Sequence, residues 1–226
     1  MPKILSSNGL KLIAAVSMTV DHIGAALFPQ ALWLRCIGRL AFVLYAFLIT
    51  EGYIYTRNVK WYMARLGLLA VLSEVPFDLL FHRSLFYPYA QNVFFTLFLG
   101  LLAIYLMDLL GSRLAPGMWF LCLIPVGAAC VAAGWLQCDY RYYGVLMIAV
   151  FFACKSRYIE MFLGVAVISM AMNTIQLWGI TAMLPISLYN GKKGKGSRLF
   201  TWLFYFYYPV HMLLIFGIAA TFARSG

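Results

Sequence analysis

Residues 91–110, QNVFFTLFLGLLAIYLMDLL, decide the fold class. Beyond Gln91 and Asn92 the stretch is almost wholly apolar, and a helix of this length rises about 30 Å, the thickness of a bilayer hydrocarbon core. Its surroundings repeat the pattern. The 226-residue chain is 64% apolar or aromatic and 11% charged, with mean hydropathy +0.87, whereas a soluble domain carries about a quarter charged residues.

Nine apolar stretches are legible, at 10–28, 32–54, 61–81, 91–110, 117–137, 142–154, 158–173, 175–189 and 200–222. The reading is an all-α polytopic transmembrane bundle of about nine helices (eight to ten), forming one integral-membrane domain over 1–226. Gly179 and Pro185 interrupt the eighth stretch, so a broken or re-entrant element is the alternative there. No small-residue cleavage site follows a short apolar core near the start, so the first span is expected to remain in the mature protein. No repeat or domain boundary is visible. Five cysteines without a CxxC spacing read as small apolar residues, and no metal-ligand spacing occurs.

The net charge of +10 is scattered rather than clustered, which argues for a topology signal and against nucleic-acid binding. With the N-terminus inside, twelve of the seventeen basic residues fall on the cytoplasmic side: Lys3, Lys11, Arg57, Lys60, Arg65, Arg113, Lys155, Arg157, Lys192, Lys193, Lys195 and Arg198. The expected orientation is a cytoplasmic N-terminus and an outer C-terminus.

Ionisable residues inside a span are expensive and mark function by default. Asp21 and His22 lie in span one, Arg39 and Glu51 in span two, Glu74 and Asp78 in span three, and His211 in span nine. Asp21, Arg39 and Glu74 each sit about seven residues, roughly 10 Å, from the outer end of their spans and share one layer. His22 and His211 lie near that depth. Ser17, Asp21 and Gly24 form one stripe and Gly67, Glu74 and Asp78 another. Asp21 and His22 point about 100° apart, which favours Asp21 pairing with Arg39 and leaves His22 for a cavity or substrate. Arg35, near the outer interface, reads as a snorkelling residue, Glu51 as a partner of Arg57 or Arg65, and His82 as a solvated loop residue. Histidine alone exchanges protons near neutrality, so His22 and His211 are the candidate bases.

The stretch 190–199, NGKKGKGSRL, is basic and glycine-rich. It lacks the Walker pattern, which argues against nucleotide hydrolysis. Free backbone N–H groups and Lys192, Lys193, Lys195 and Arg198 would suit the phosphates of a carrier such as coenzyme A.

LKLIAAVSMTVDHIG at 10–24, IGRLAFVLYAFLITEGYIYTRN at 37–58, ARLGLLAVLSEVPFD at 64–78, QNVFFTLFLGLLA at 91–103, DYRYYGVLMI at 139–148, SLYNGKKGKG at 187–196 and FYFYYPVHMLLI at 204–215 together resemble the TraX family. These are bacterial polytopic membrane proteins whose namesake acetylates the N-terminal amine of conjugative F-type pilin. The resemblance spans nearly the whole chain. It implies an inner-membrane acetyltransferase that takes acetyl from cytosolic acetyl-CoA, with roles for Asp21, His22, Arg39, Glu51, Glu74, Asp78, Asn92 and His211. One departure is Val43, where the family pattern places proline after GRLAF.

These lines combine into one expectation. Acetyl-CoA enters from the cytoplasm with its phosphates near Lys192, Lys193, Lys195 and Arg198, together with Arg57 and Arg65. An acceptor amine, from a pilin-like protein or a small molecule, arrives from outside. His22 or His211 removes its proton, Arg39 holds Asp21, and Asn92 stabilises the oxyanion. An acetyl-histidine route and direct attack both remain open. The competing readings are an O-acyltransferase of a glycan or lipid head group, and a proton-coupled transporter using the same polar residues as a relay.

Overall fold

The computed structural model describes residues 3–115, 117–195 and 198–225, with the side chains of 198–201 and 223–225 outside the description. Among the described residues the fold is all-helical with no strand. In chain order the helices are α1 (Ser7–Ala26), α2 (Leu32–Tyr55), α3 (Val59–Leu72), α4 (Glu74–His82), α5 (Val93–Gly111), α6 (Leu123–Trp135), α7 (Arg141–Ala153), α8 (Tyr158–Met172), α9 (Met183–Ser187) and α10 (Arg198–Ser225). Short 3₁₀ segments lead into α6 (Trp119–Cys122) and α9 (Ile175–Ala182).

The third apolar stretch does not form one helix. Pro76 has no N–H to give the carbonyl four residues back, so the ladder fails around Ser73 and the stretch divides into α3 and α4. The stripe drawn through Gly67, Glu74 and Asp78 is therefore not one helical face. The eighth stretch takes the broken form, as the 3₁₀ segment followed by the five-residue α9.

Among the described residues three helices are long and apolar enough to cross a membrane: Leu32–Tyr55, Val93–Gly111 and Trp202–Phe222. Shorter apolar helices make up much of the rest. Large side chains such as Val131, Trp135, Val167 and Leu214 remain exposed on the helix flanks, as expected of a surface solvated by lipid rather than water.

The chain divides into two compact units. The first comprises residues 1–45, 72–87 and 169–226, which brings together α1, the first half of α2, α4, α9 and α10. In it α10 packs against both α1 and α4. The second comprises residues 46–71 and 88–168 and is built around the mutual packing of α5, α6 and α7. Its core is made of small and branched side chains, Ala103, Val126, Ala129, Ala133, Val145 and Ala149, which let helices approach closely where hydrophobic burial gives little drive.

In the first unit the basic loop is tied to the start of α1. Ser7 N donates to Lys192 O at 2.8 Å, Asn8 N to Lys193 O at 3.1 Å, and Asn8 Nδ2 to Lys195 O at 3.1 Å. Ser6 Oγ accepts from Gly9 N. The otherwise unpaired N–H groups of the first helical turn are thus satisfied by loop carbonyls. Gly194 is obligatory here, since its φ is +82° and a Cβ would collide with Ser6.

Candidate functional site

The polar residues of the first unit converge where α1, α2, α4 and α10 meet. Asp21 and His22 are both buried, and their divergent directions send them to different helices. Asp21 turns to α2. Its Oδ2 accepts from Arg35 Nη1 at 2.8 Å and from Arg39 Nη2, and its backbone carbonyl takes a further bond from Arg35 at 3.1 Å. Arg39 Nε also donates to Arg35 O at 3.3 Å. One carboxylate therefore holds two guanidinium groups one turn apart, a charge-assisted arrangement that fixes α1 against α2. Gly38 makes the approach feasible, because a Cβ there would occupy the space of the Asp21 carboxylate.

His22 turns to α10. Its Nδ1 lies 2.8 Å from Nε2 of His211. The rings are nearly parallel, at 8°, with centroids 5.0 Å apart. That separation is close to the nitrogen–nitrogen distance plus the two ring radii, so the imidazoles lie edge to edge in one plane rather than face to face. The far nitrogen of His211, Nδ1, is 2.8 Å from the carbonyl oxygen of Tyr207.

These contacts fix where the protons sit. A carbonyl oxygen only accepts, so His211 Nδ1 carries a hydrogen. In neutral His211 the lone pair is then on Nε2, which accepts from His22 Nδ1–H. Neutral His22 is left with its lone pair on Nε2. Phe81 and Tyr208 meet His22 edge-on at centroid distances of 5.4 Å and 6.0 Å, and Tyr207 lies parallel to His211 at 4.9 Å. The pair is thus an imidazole dimer in an aromatic box with one basic nitrogen.

Pro209, inside α10, has no N–H to give the Tyr205 carbonyl four residues back. The sequence YYPVH at 207–211 sets His211 one turn beyond Tyr207, whose carbonyl its Nδ1 reaches.

The other site residues named from sequence fall elsewhere. Glu74 is the first residue of α4, half-buried in the same unit. Asp78 is fully buried, and its Oδ2 accepts from Tyr87 N at 2.7 Å while its carbonyl closes the turn at Arg83 and Ser84, so it anchors the loop after α4. Asn92 is committed in the second unit as the cap of α5: Oδ1 accepts from Phe94 N and Nδ2 donates to Ala70 O at 2.8 Å. Its amide thus ties the start of α5 to the end of α3.

Arg57 and Arg65 are exposed residues of the second unit, and no ion pair joins Glu51 to either among the described residues. Lys192, Lys193 and Lys195 are exposed on the loop, while the side chain of Arg198 lies outside the described residues. The loop turns its carbonyls, not a cradle of N–H groups, towards α1. His82 is not a solvated loop residue: it ends α4 and stacks on Tyr87 at 4.0 Å. Among the described residues no group of three or more His, Cys, Asp or Glu side chains is placed to hold a metal ion.

Three participants were not anticipated. Arg35 joins Arg39 on Asp21, for which its i, i+4 spacing from Arg39 was the available signal. Tyr207 and Thr19, whose hydroxyls bond each other, had no sequence signal beyond their helical offsets from His211 and His22.

The family model described as TraX protein matches residues 6–219. A probable fimbrial assembly protein, FimC of serogroup H1 from Dichelobacter nodosus, is 28% identical over 240 aligned positions, covering 93% of this chain and 94% of its own. An uncharacterized protein of Rickettsia prowazekii (strain Madrid E) is 31% identical over 96 positions, covering 42% of this chain and 35% of its own. No solved structure matches.

Proposed function

The chain belongs to the TraX family, and from that premise we propose that it is an inner-membrane acetyltransferase. It moves acetyl from cytosolic acetyl-CoA to the amine of a pilin-like acceptor on the outer side. The observation that carries this reading is the His22–His211 pair, which leaves one imidazole lone pair at His22 Nε2 inside an aromatic, water-poor site. Such a group suits general-base work at neutral pH. The similarity to a protein named for fimbrial assembly supports a pilin-like acceptor.

In this reading the acceptor, an ammonium in water, gives up one proton to the solvent as it enters the site and becomes nucleophilic. As its nitrogen attacks the thioester carbon, His22 Nε2 takes the second N–H proton. The C–S bond then breaks, and the proton passes from His22 to the departing sulfur, giving the acetamide and free thiol. His211 shares the transient positive charge through the 2.8 Å bond, and the Tyr207 carbonyl steadies its far N–H. Asp21, held by Arg35 and Arg39, acts by fixing α1 and hence the aim of the neighbouring His22. Asp78 and Asn92 have no chemical part in it.

The donor's place is supported by spacing. Lys192, Lys193 and Lys195 sit on the loop bound to Ser7 and Asn8, and His22 lies fifteen residues further along α1, about 22 Å. That span is comparable to an extended phosphopantetheine arm, so phosphates at the lysines put the thioester near the histidines. The orientation follows, with the loop and N-terminus cytoplasmic and the C-terminus outside.

The test is thiol release from acetyl-CoA by purified protein offered a pilin-like N-terminal peptide, an amino sugar, or no acceptor. Peptide-dependent release supports the reading. Release only with the sugar favours a glycan acyltransferase, and release with none of them points to the transporter alternative.

A further inference from the structure

His211 is gripped twice by one residue. The Tyr207 carbonyl accepts from its Nδ1 at 2.8 Å, and the Tyr207 ring lies parallel to the imidazole, at 15° and 4.9 Å between centroids. The Tyr207 hydroxyl is bonded in turn to Thr19 Oγ1, which is seated on the Ala15 carbonyl at 3.0 Å. Thr19 precedes His22 by three residues on α1, and Tyr207 precedes His211 by four on α10. The same two helices are therefore joined by two side-chain bridges one turn apart, one of imidazoles and one of hydroxyls.

We propose that Thr19 and Tyr207 are positioning residues that lock His211 in its Nδ1–H tautomer and thereby keep the pair's basic lone pair on His22 Nε2. This rests on the reading of His22 as the base. An imidazole turned over about its own axis would present carbon to His22 and lose the nitrogen–nitrogen bond. The parallel Tyr207 face blocks that rotation, and the Thr19 hydroxyl prevents the phenol from swinging away. The same ring lies under the charge when the pair takes up a proton, a cation–π arrangement. The groups around the pair are Asp21 on α1, Arg35 and Arg39 on α2, Phe81 on α4 and Tyr208 on α10, with Tyr45 of α2 beside Tyr207.

The experiment is nitrogen-15 NMR of the full chain, labelled at histidine in detergent micelles, combined with steady-state kinetics over pH. The wild type is compared with Tyr207→Phe, Thr19→Val and Thr19→Ser. Wild type and Thr19→Ser should each show one fixed Nδ1–H signal for His211. Tyr207→Phe and Thr19→Val should show mixed tautomers, a kcat lower by about tenfold with KM for acetyl-CoA nearly unchanged, and a displaced pH profile of kcat. A fixed tautomer, or an unchanged kcat, in both of those variants overturns the proposal. If the wild type transfers no acetyl at all while its variants mix tautomers as described, the enzyme reading fails and the positioning role stands. Tyr207→Phe and Thr19→Val alter different helices, so loss of fold in one leaves the other as the test.

Discussion

His22 Nδ1 and His211 Nε2 are 2.8 Å apart although their residues are separated by 189 positions, and the hydrogen bond between them has a direction. The Tyr207 carbonyl sets that direction, so the two histidines are not equivalent.

Their substitutions should therefore differ. His22→Ala removes the basic nitrogen itself and should lower kcat by about 10²–10⁴, the usual worth of general-base catalysis. His211→Ala leaves His22 Nε2 in place but frees its ring and tautomer, and the expected loss is smaller, on the order of tenfold to a hundredfold. Equal losses, measured by acetyl transfer from labelled acetyl-CoA, would contradict the assigned direction.

The Asp21 cluster should be tested as structure. Asp21→Ala leaves two guanidinium groups without their shared carboxylate and should cost about 3–5 kcal/mol. Gly38→Ala puts a methyl where the Asp21 carboxylate sits and should cost about 1–3 kcal/mol. Adding Arg39→Met to Asp21→Ala should recover part of the loss, since one stranded charge is removed. Denaturant unfolding in detergent reads all three, and a neutral Gly38→Ala would show that α1 and α2 do not need this contact.

Gln176 offers a different kind of prediction. It is fully buried, and neither atom of its amide has a partner among the described residues. A Cβ on Gly179 would lie 2.9 Å from Gln176 Nε2, 3.1 Å from Val43 Cγ2 and 3.2 Å from the Arg39 carbonyl oxygen, so amide and carbonyl are close neighbours. With valine at 43 the helical ladder uses that carbonyl. Val43→Pro would release it to Gln176 Nε2, so the cost should fall well below the ~3 kcal/mol of an ordinary interior proline. Gln176→Met in the natural background should be neutral or stabilising, and in Val43→Pro destabilising. Melting temperatures of the two singles and the double check both signs.

The loop lysines separate binding from folding. Ser7 and Asn8 are bonded to the loop's backbone carbonyls, so exchanging Lys192, Lys193 and Lys195 for glutamate should leave the fold intact. The expected result is a KM for acetyl-CoA raised about tenfold or more at low salt, with kcat nearly unchanged. An unchanged KM removes the donor assignment.

What the sequence disclosed was depth. A constant rise per residue placed Asp21 and Arg39 in one layer and put His22 and His211 within reach of it, and divergent directions for Asp21 and His22 followed from helical geometry. Adjacency was not readable, because which helices pack together depends on side-chain fit across the bundle. So the partnership of α1 with α10 and the second guanidinium from Arg35 came only with the structure. Asp78 and Asn92 have an occupation that the sequence did not show. Both looked chemical because they are polar and within apolar sequence, yet each satisfies backbone groups where a helix begins or ends. The break at Ser73 was signalled by Pro76, but hydropathy carried the span across it.

The most direct measurement is mass spectrometry of a pilin-like peptide incubated with acetyl-CoA and purified protein, wild type beside His22→Ala. The account predicts one acetyl group on the N-terminal amine with the wild type, and a rate at least about a hundredfold lower with His22→Ala. N-terminal acetylation that proceeds undiminished without His22 would contradict it.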